Sequence, residues 1–477
     1  MLWFCEFADH DWVLAAYSFF KSTYQMSPTP ISECSIVTKT VQHHFEKVVM
    51  STRAKHIVVI GAGIVGACCA LELVRSGHEV TIIEAGTPGE RHATSYGQGC
   101  WISPASVVPL STPGLWKQVP GYLLNPNGPI VIRWRHIGTL LPWLVRFVLA
   151  GASVSRVEGT AIALSRLLHD SPDRHLALAA ELAVPELIRQ EGLLYAYPDR
   201  KAFEVEALSW RLREMVGLRW RELDREALGQ REPNLAEKYT FGILVEDGAH
   251  CVDPGAYVAK IVSLATFRGA RISCVKATGF AFEGTRLLGV DTNNGLIKCD
   301  QAVVAAGAWS KALAKAAGDK IPLESERGYH GVISTAEGRP NHPVMPSDGK
   351  MANTPTRFGL RLSGQVELAS IEAPPNWDRV DVLLNHAFRT YPTLAALRTV
   401  AVDKWMGHRP STPDGLPVIG RSWRSPDVFY AFGHGHIGFA SGPITGCIAA
   451  AQLSESRQCV DIRAFAPTRF KLTGHKS

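Results

Sequence analysis

The chain has 477 residues, of which 46% are hydrophobic and 20% charged, with a formal net charge of +6. That length exceeds what one compact core usually holds, so two intertwined domains are expected. The charge is spread without a Lys/Arg block or an aromatic-interleaved basic stripe, which argues against a nucleic-acid partner, and no clean run of about 18 apolar residues offers a membrane span.

Residues 1–49 carry aromatic clusters (Trp3, Phe4, Phe7, Phe19, Phe20) without a sustained period, and Asp9 and Asp11 interrupt the start. A secretory signal would want a basic start, an apolar run and small residues. Met50-Ser51-Thr52-Arg53 instead reads as an ordinary N-terminus, so residues 1–49 are expected to be a non-native or disordered extension. The 10 cysteines are scattered with no CxxC and no Cys/His spacing suited to zinc. No metal is expected, and a reduced cytosolic compartment fits best.

His56–Ile60 (HIVVI) is a continuous β-branched run, as a buried parallel strand should be. Gly61-Ala62-Gly63-Ile64-Val65-Gly66 follows, then a helical stretch through Ser76 that includes Cys68 and Cys69, read here as packing residues. Gly61 permits the tight turn, Gly63 lets the backbone approach a pyrophosphate and Gly66 lets the helix close on the strand. The opening N–H groups of that helix, from Ile64 and Val65 onward, then face the phosphates. A second strand, Glu79–Ile83, ends at Glu84, whose carboxylate can accept hydrogen bonds from an adenosine ribose. Strand, glycines, helix, strand and terminal acid in register point to a dinucleotide, without separating FAD from NAD.

Residues 140–150 (LLPWLVRFVLA) form a core or surface helix after the basic Arg133-Trp134-Arg135, with peripheral membrane contact as the other reading. Helical patterns fill residues 159–190, where Asp170-Ser171-Pro172 caps a second helix, and recur at 203–216 and 254–268, with a short strand at 192–197 between. Residues 301–305 make another buried strand, ending in the small-residue turn Ala306-Gly307-Ala308, with helix again at 311–317. Alternation over residues 357–371 around Ser363-Gly364 suggests a hairpin in an antiparallel sheet. Val428–Phe432 leads into Gly433-His434-Gly435-His436-Ile437-Gly438 and a small-residue helix at 441–453, a second strand, Gly-loop and helix unit.

With these pieces placed, the chain resembles the D-amino-acid oxidase superfamily of FAD enzymes, and within it the bacterial D-amino-acid dehydrogenases. Four ordered stretches carry the likeness: GAGIVG with Glu84; Thr94-Ser95-Tyr96-Gly97-Gln98-Gly99 with Ile102-Ser103-Pro104; Trp405 through Asp414 (WMGHRPSTPD); and GHGHIG. The turn at 305–310 and Arg327-Gly328-Tyr329 also match, so the likeness runs from about residue 56 to 470. It implies an α/β fold: a doubly wound Rossmann-type FAD domain with an inserted substrate domain containing a mixed, largely antiparallel sheet. Residues 55–105, 155–195, 245–320 and 400–470 would form the first, and 106–154, 196–244 and 321–399 the second. By the same resemblance Thr94, Ser95, Gln98, Gly99, Ala306, Gly307, Gly435, Ile437 and Gly438 approach FAD. One departure is His436, where the dehydrogenases usually carry a small polar residue.

The resemblance also assigns Arg409 to the substrate carboxylate, which a guanidinium grips with two parallel hydrogen bonds; the alternative is a structural ion pair with an acid such as Asp414. Tyr329, His434, His436 and water are candidates to receive the ammonium proton, which must leave before hydride can. The implied reaction is oxidation of a D-amino acid or cyclic imino acid, with electrons passed to a quinone or the respiratory chain. Rival readings are an oxygen-using glycine or sarcosine oxidase, an NAD-dependent dehydrogenase, and a non-catalytic flavin-binding subunit. The chain is expected in the cytoplasm, or peripherally at the inner face of the cell membrane.

Overall fold

In the computed structural model the described residues are 54–115, 128, 130–335, 337–396, 400–458 and 460–471; the expected extension at 1–49 lies outside them. His56–Ile60 sits inside a six-stranded sheet ordered Arg271–Ser273, Glu79–Ile83, His56–Ile60, Gln301–Val304, Val428–Phe432, Val418–Arg421. All neighbours are parallel except the last pair. Two-residue periodicity sends alternate side chains into different layers: Ile57 and Val59 join a core with the helices Ile64–Arg75, Pro254–Phe267 and Gly442–Leu453. Val58 and Ile60 pack instead toward a three-stranded antiparallel sheet at 277–298 and the helix Ser310–Ala316. Cys68 and Cys69 are buried, their thiols pushed up by desolvation, and a Cβ at Gly446 would lie 2.6 Å from the Cys68 carbonyl, so small residues bring these two helices together.

A nine-stranded sheet forms the second layer. Its path runs Val402–Ser411, Glu324–Ile333, Gly359–Leu368, Ala352–Thr356, Val344–Pro346, Leu193–Tyr197, Phe241–Val245, Arg221–Leu223, with Ile130–Ile132 also beside Gly359–Leu368. Only the pairs Val344–Pro346/Leu193–Tyr197 and Ile130–Ile132/Gly359–Leu368 are parallel, which makes the sheet mixed and largely antiparallel. The helix Asp378–Thr390 covers it, with Val380, Leu383 and Ala387 in one core with Tyr329, Ile333, Leu360 and Leu362.

Four expectations are corrected. Ser363-Gly364 is no hairpin turn: Gly359–Leu368 is continuous, and the irregularity is a bulge in which Gln365 takes a φ of 62°. Asp170 precedes the helix Ser171–Glu181 but makes no side-chain cap, because its carboxylate holds Arg174 at 2.7 Å. The helix expected at 203–216 divides into Arg200–Glu204 and Ala207–Met215. Residues 402–411, assigned by sequence to the nucleotide domain, pair along their whole length with Glu324–Ile333 and so belong to the second sheet.

Candidate active site

A cavity of about 1820 Å³ runs between the two sheets, well above the ~300–1,000 Å³ of a typical small-molecule site. At one end lies the turn after His56–Ile60. Gly61 has a φ of 103°, and a Cβ at Gly66 would fall 1.9 Å from the Gly61 carbonyl oxygen, so the helix Ile64–Arg75 can start directly under the turn only with glycine there. Gly61, Gly63, Ile64 and Val65 line the cavity; Gly66 lies behind them. Glu84 lines it too, its carboxylate held by the N–H groups of Ala62 (2.7 Å) and Ala85 (2.8 Å).

Thr94 and Ser95 form the wall. Ser95 Oγ accepts from Ile64 N at 2.9 Å, and Thr94 Oγ1 donates to the His408 carbonyl at 2.7 Å, which fastens this short helix to both layers. Gln98, Gly99, Ala306 and Gly307 also line the cavity. Gln98 accepts from Cys100 N at 2.6 Å, while its Nε2 is buried without a partner. A helix N-terminus, a terminal acid and an unpartnered buried donor along one elongated cleft fit a stretched dinucleotide.

At the other end the loop after Val428–Phe432 meets the strand carrying Arg409. Gly435 N donates to the Pro410 carbonyl (2.9 Å) and Ile437 N to the His434 carbonyl (2.9 Å), so those two amides are engaged inside the protein and the N–H groups of His436 and Gly438 remain as the loop's donors. Arg409 donates from Nη1 to the Gln365 carbonyl at 2.9 Å, its one hydrogen bond among the described residues. Its guanidinium lies over Gly328, where a Cβ would be 2.4 Å from Nη2. Burial pulls the arginine below its usual pKa, opposed by the charge of Glu326, and a guanidinium stays ionised regardless. Asp414 is not its partner: that carboxylate holds Arg469 at 2.8 Å.

The three side-chain proton-acceptor candidates separate. Tyr329 does not line the cavity: its hydroxyl donates to Glu367 and accepts from Asn376 N, and burial with Glu367 pushes it up to about 12. Along Glu324–Ile333, Glu326 and Gly328 turn to the cleft, and Arg327 and Tyr329 to the other face. His434 lines the cavity but its Nε2 meets Thr445 Oγ1 at 3.2 Å, and burial pushes it down to about 3. His436 lines the cavity with Nε2 3.0 Å from Glu326 Oε2. The sequence reading missed Glu326 and Gln365. The first was within reach, two residues before Gly328 on the same strand face; no residue-type signal marks the bulge.

The comparisons agree with this geometry. The family described as DAO, FAD dependent oxidoreductase, matches residues 56–452. A D-amino-acid oxidase of Bradyrhizobium diazoefficiens is 47% identical over 417 residues, covering 87% of this chain and 99% of the relative. A D-amino acid dehydrogenase of Paramagnetospirillum magneticum is 28% identical, covering 87% and 98%. The crystal structure of glycine oxidase from Geobacillus kaustophilus superposes with a TM-score of 0.68 at 20% identity, covering 88% of this chain and 99% of that one, a likeness of fold. The cofactor that fits the cleft is FAD, and NAD is set aside; the chain belongs to the DAO family of FAD-dependent oxidoreductases.

Proposed function

We propose that the chain oxidises a D-amino acid, or a cyclic imino acid such as a proline analogue, at its α carbon, giving an imine that hydrolyses to a 2-oxo acid and ammonia, or a cyclic imine. The observation that carries this reading is Arg409: a guanidinium at the inner end of the cleft whose remaining N–H donors are left for a planar carboxylate. Anchoring the carboxylate there fixes the tilt of the α carbon, and orientation is the largest service a protein renders to such a reaction. FAD, when bound, supplies the hydride acceptor. Arg409, Glu84 and both glycine loops together speak against a non-catalytic subunit.

The relatives named for D-amino acids support the stereochemistry. A quinone or similar acceptor is the first reading; the 47% relative, named an oxidase, favours oxygen as the second. Anaerobic flavin bleaching by D- and L-amino acids, glycine and imino acids tests the substrate, and bleaching by L-isomers alone overturns it. Stopped-flow reoxidation by air against a quinone separates the acceptors.

The helix Ile137–Ala150 supports a peripheral position at an anionic membrane. Leu141, Val145 and Leu149 are 56%, 51% and 52% exposed at a four-residue spacing, and no Asp or Glu occurs between Glu90 and Glu158. Among the described residues no single helix is long and apolar enough to cross a membrane. Cosedimentation with vesicles containing anionic lipid, lost in Leu141→Glu/Val145→Glu, is the expected outcome; no binding to any vesicle returns the chain to the cytoplasmic reading.

A further inference from the structure

We infer that Glu326 is a positioning residue that holds His436 as the acceptor of the substrate's ammonium proton, an assignment that rests on the amine-oxidation reading above. Glu326 is 3% exposed and sits on the strand face turned to the cleft, with its Cα paired across the sheet to Arg409. Its Oε2 lies 3.0 Å from His436 Nε2, and Ser411 donates a second hydrogen bond to the carboxylate. Desolvation would raise the Glu326 carboxyl, but the hydrogen bond and charge of His436, the charge of Arg409 and the Ser411 hydroxyl overcome it and hold it below its ordinary value. The carboxylate is therefore anionic at neutral pH.

Glu326 is the charged group in contact with the His436 ring; Arg409 acts on that carboxylate through its charge, and His434, two residues away in the same loop, is kept neutral by burial. A carboxylate on Nε2 selects the tautomer with the proton there and leaves the Nδ1 lone pair basic. The charge count explains why this arrangement suits an amino acid. Arg409 and Glu326 cancel, so a zwitterion enters a neutral pocket. The ammonium N–H bond then breaks with its electron pair left on nitrogen, and the proton bonds to Nδ1. The pocket holds two cations and two anions afterwards, so the transfer leaves its net charge unchanged. The freed lone pair assists departure of hydride from the α carbon to the cofactor of the established reaction.

The test is anaerobic flavin reduction across pH in the FAD-loaded protein, with flavin absorbance reporting that each variant retains cofactor. His436→Asn should lower the reduction rate about 10²–10⁴-fold at neutral pH and approach the parent at alkaline pH, where the free amine is already neutral in solution. Glu326→Gln should lower the reduction rate at neutral pH in the same direction as His436→Asn and, like it, approach the parent at alkaline pH, because the carboxylate on Nε2 is what fixes the ring's tautomer. A structural role alone lowers the rate alike at neutral and alkaline pH. Parental neutral-pH rates in His436→Asn or in Glu326→Gln overturn the inference. No bleaching of the parent by any amine substrate defeats the functional reading instead.

Discussion

Two arginines, each with a glutamate near it, lie on opposite faces of one strand of the large sheet, and they differ in how much of their hydrogen-bonding capacity the protein uses. Arg327 faces the protein interior. It donates to Glu367 at 2.9 Å, to the Pro374 carbonyl at 3.2 Å and to the Ala373 carbonyl, while Glu367 also takes Arg133 Nε at 2.7 Å and the Tyr329 hydroxyl. Arg409 lies over the other face beside Glu326 and engages one backbone carbonyl. The interior pair has its charges matched by protein, with Arg327 Nε the one donor there left buried without a partner among the described residues, and it holds the sheet together. The cleft pair keeps donors in reserve, and reserve hydrogen-bonding capacity is what a ligand requires.

The contrast breaks most sharply at Glu367. Glu367→Ala strands Arg327 without its counter-ion, and breaking such a buried pair costs about 3–5 kcal/mol; urea denaturation should show it. Arg409→Met should lower kcat/KM on the order of 10²–10³-fold, reflecting about 3–4 kcal/mol of charge-assisted contact, with the denaturation midpoint nearly unmoved. If instead Arg409→Met unfolds the protein and Glu367→Ala does not, the two pairs have exchanged roles. Gly328→Ala is milder: its methyl meets the guanidinium, a flexible end, so KM should rise roughly 10-fold, about 1.4 kcal/mol, with kcat less affected.

An effect of similar size is a pH dependence of stability. His434, neutral when folded and pushed down to about 3 by burial, takes up a proton in the unfolded chain below about 6.5. Its folded pKa is the depressed one, so the unfolded state binds more protons and stability falls as pH drops from about 6.5 toward 3. His434→Asn should flatten that slope between pH 7 and 5 in thermal melts by about 1–2 kcal/mol; an unchanged slope places the titration elsewhere, in buried His175 or His250, both pushed down to about 4.

What the sequence revealed follows from how local each signal is. The turn at Gly61 and Gly66 is legible because adjacent residues make it, down to the clash a side chain would meet. Arg409 is legible through its motif, but not what surrounds it, since Gln365 and Glu326 arrive from other strands. Tyr329 was misplaced for a simple reason: next to Gly328 in the chain is opposite to it across the sheet. Glu326, an acid on a strand, reads as solvent-facing until the pairing with Arg409 encloses it. The run at 402–411 looked like part of the nucleotide layer because it precedes that layer's last strands, and only hydrogen-bonding register could reassign it.

The amide of Gly435 bonded to the Pro410 carbonyl, with Ser411 bridged to His434, is a seam stitching the floor of the cleft to its roof. A jaw-like swing of one layer from the other would tear that seam first and carry Arg409 away from its loop.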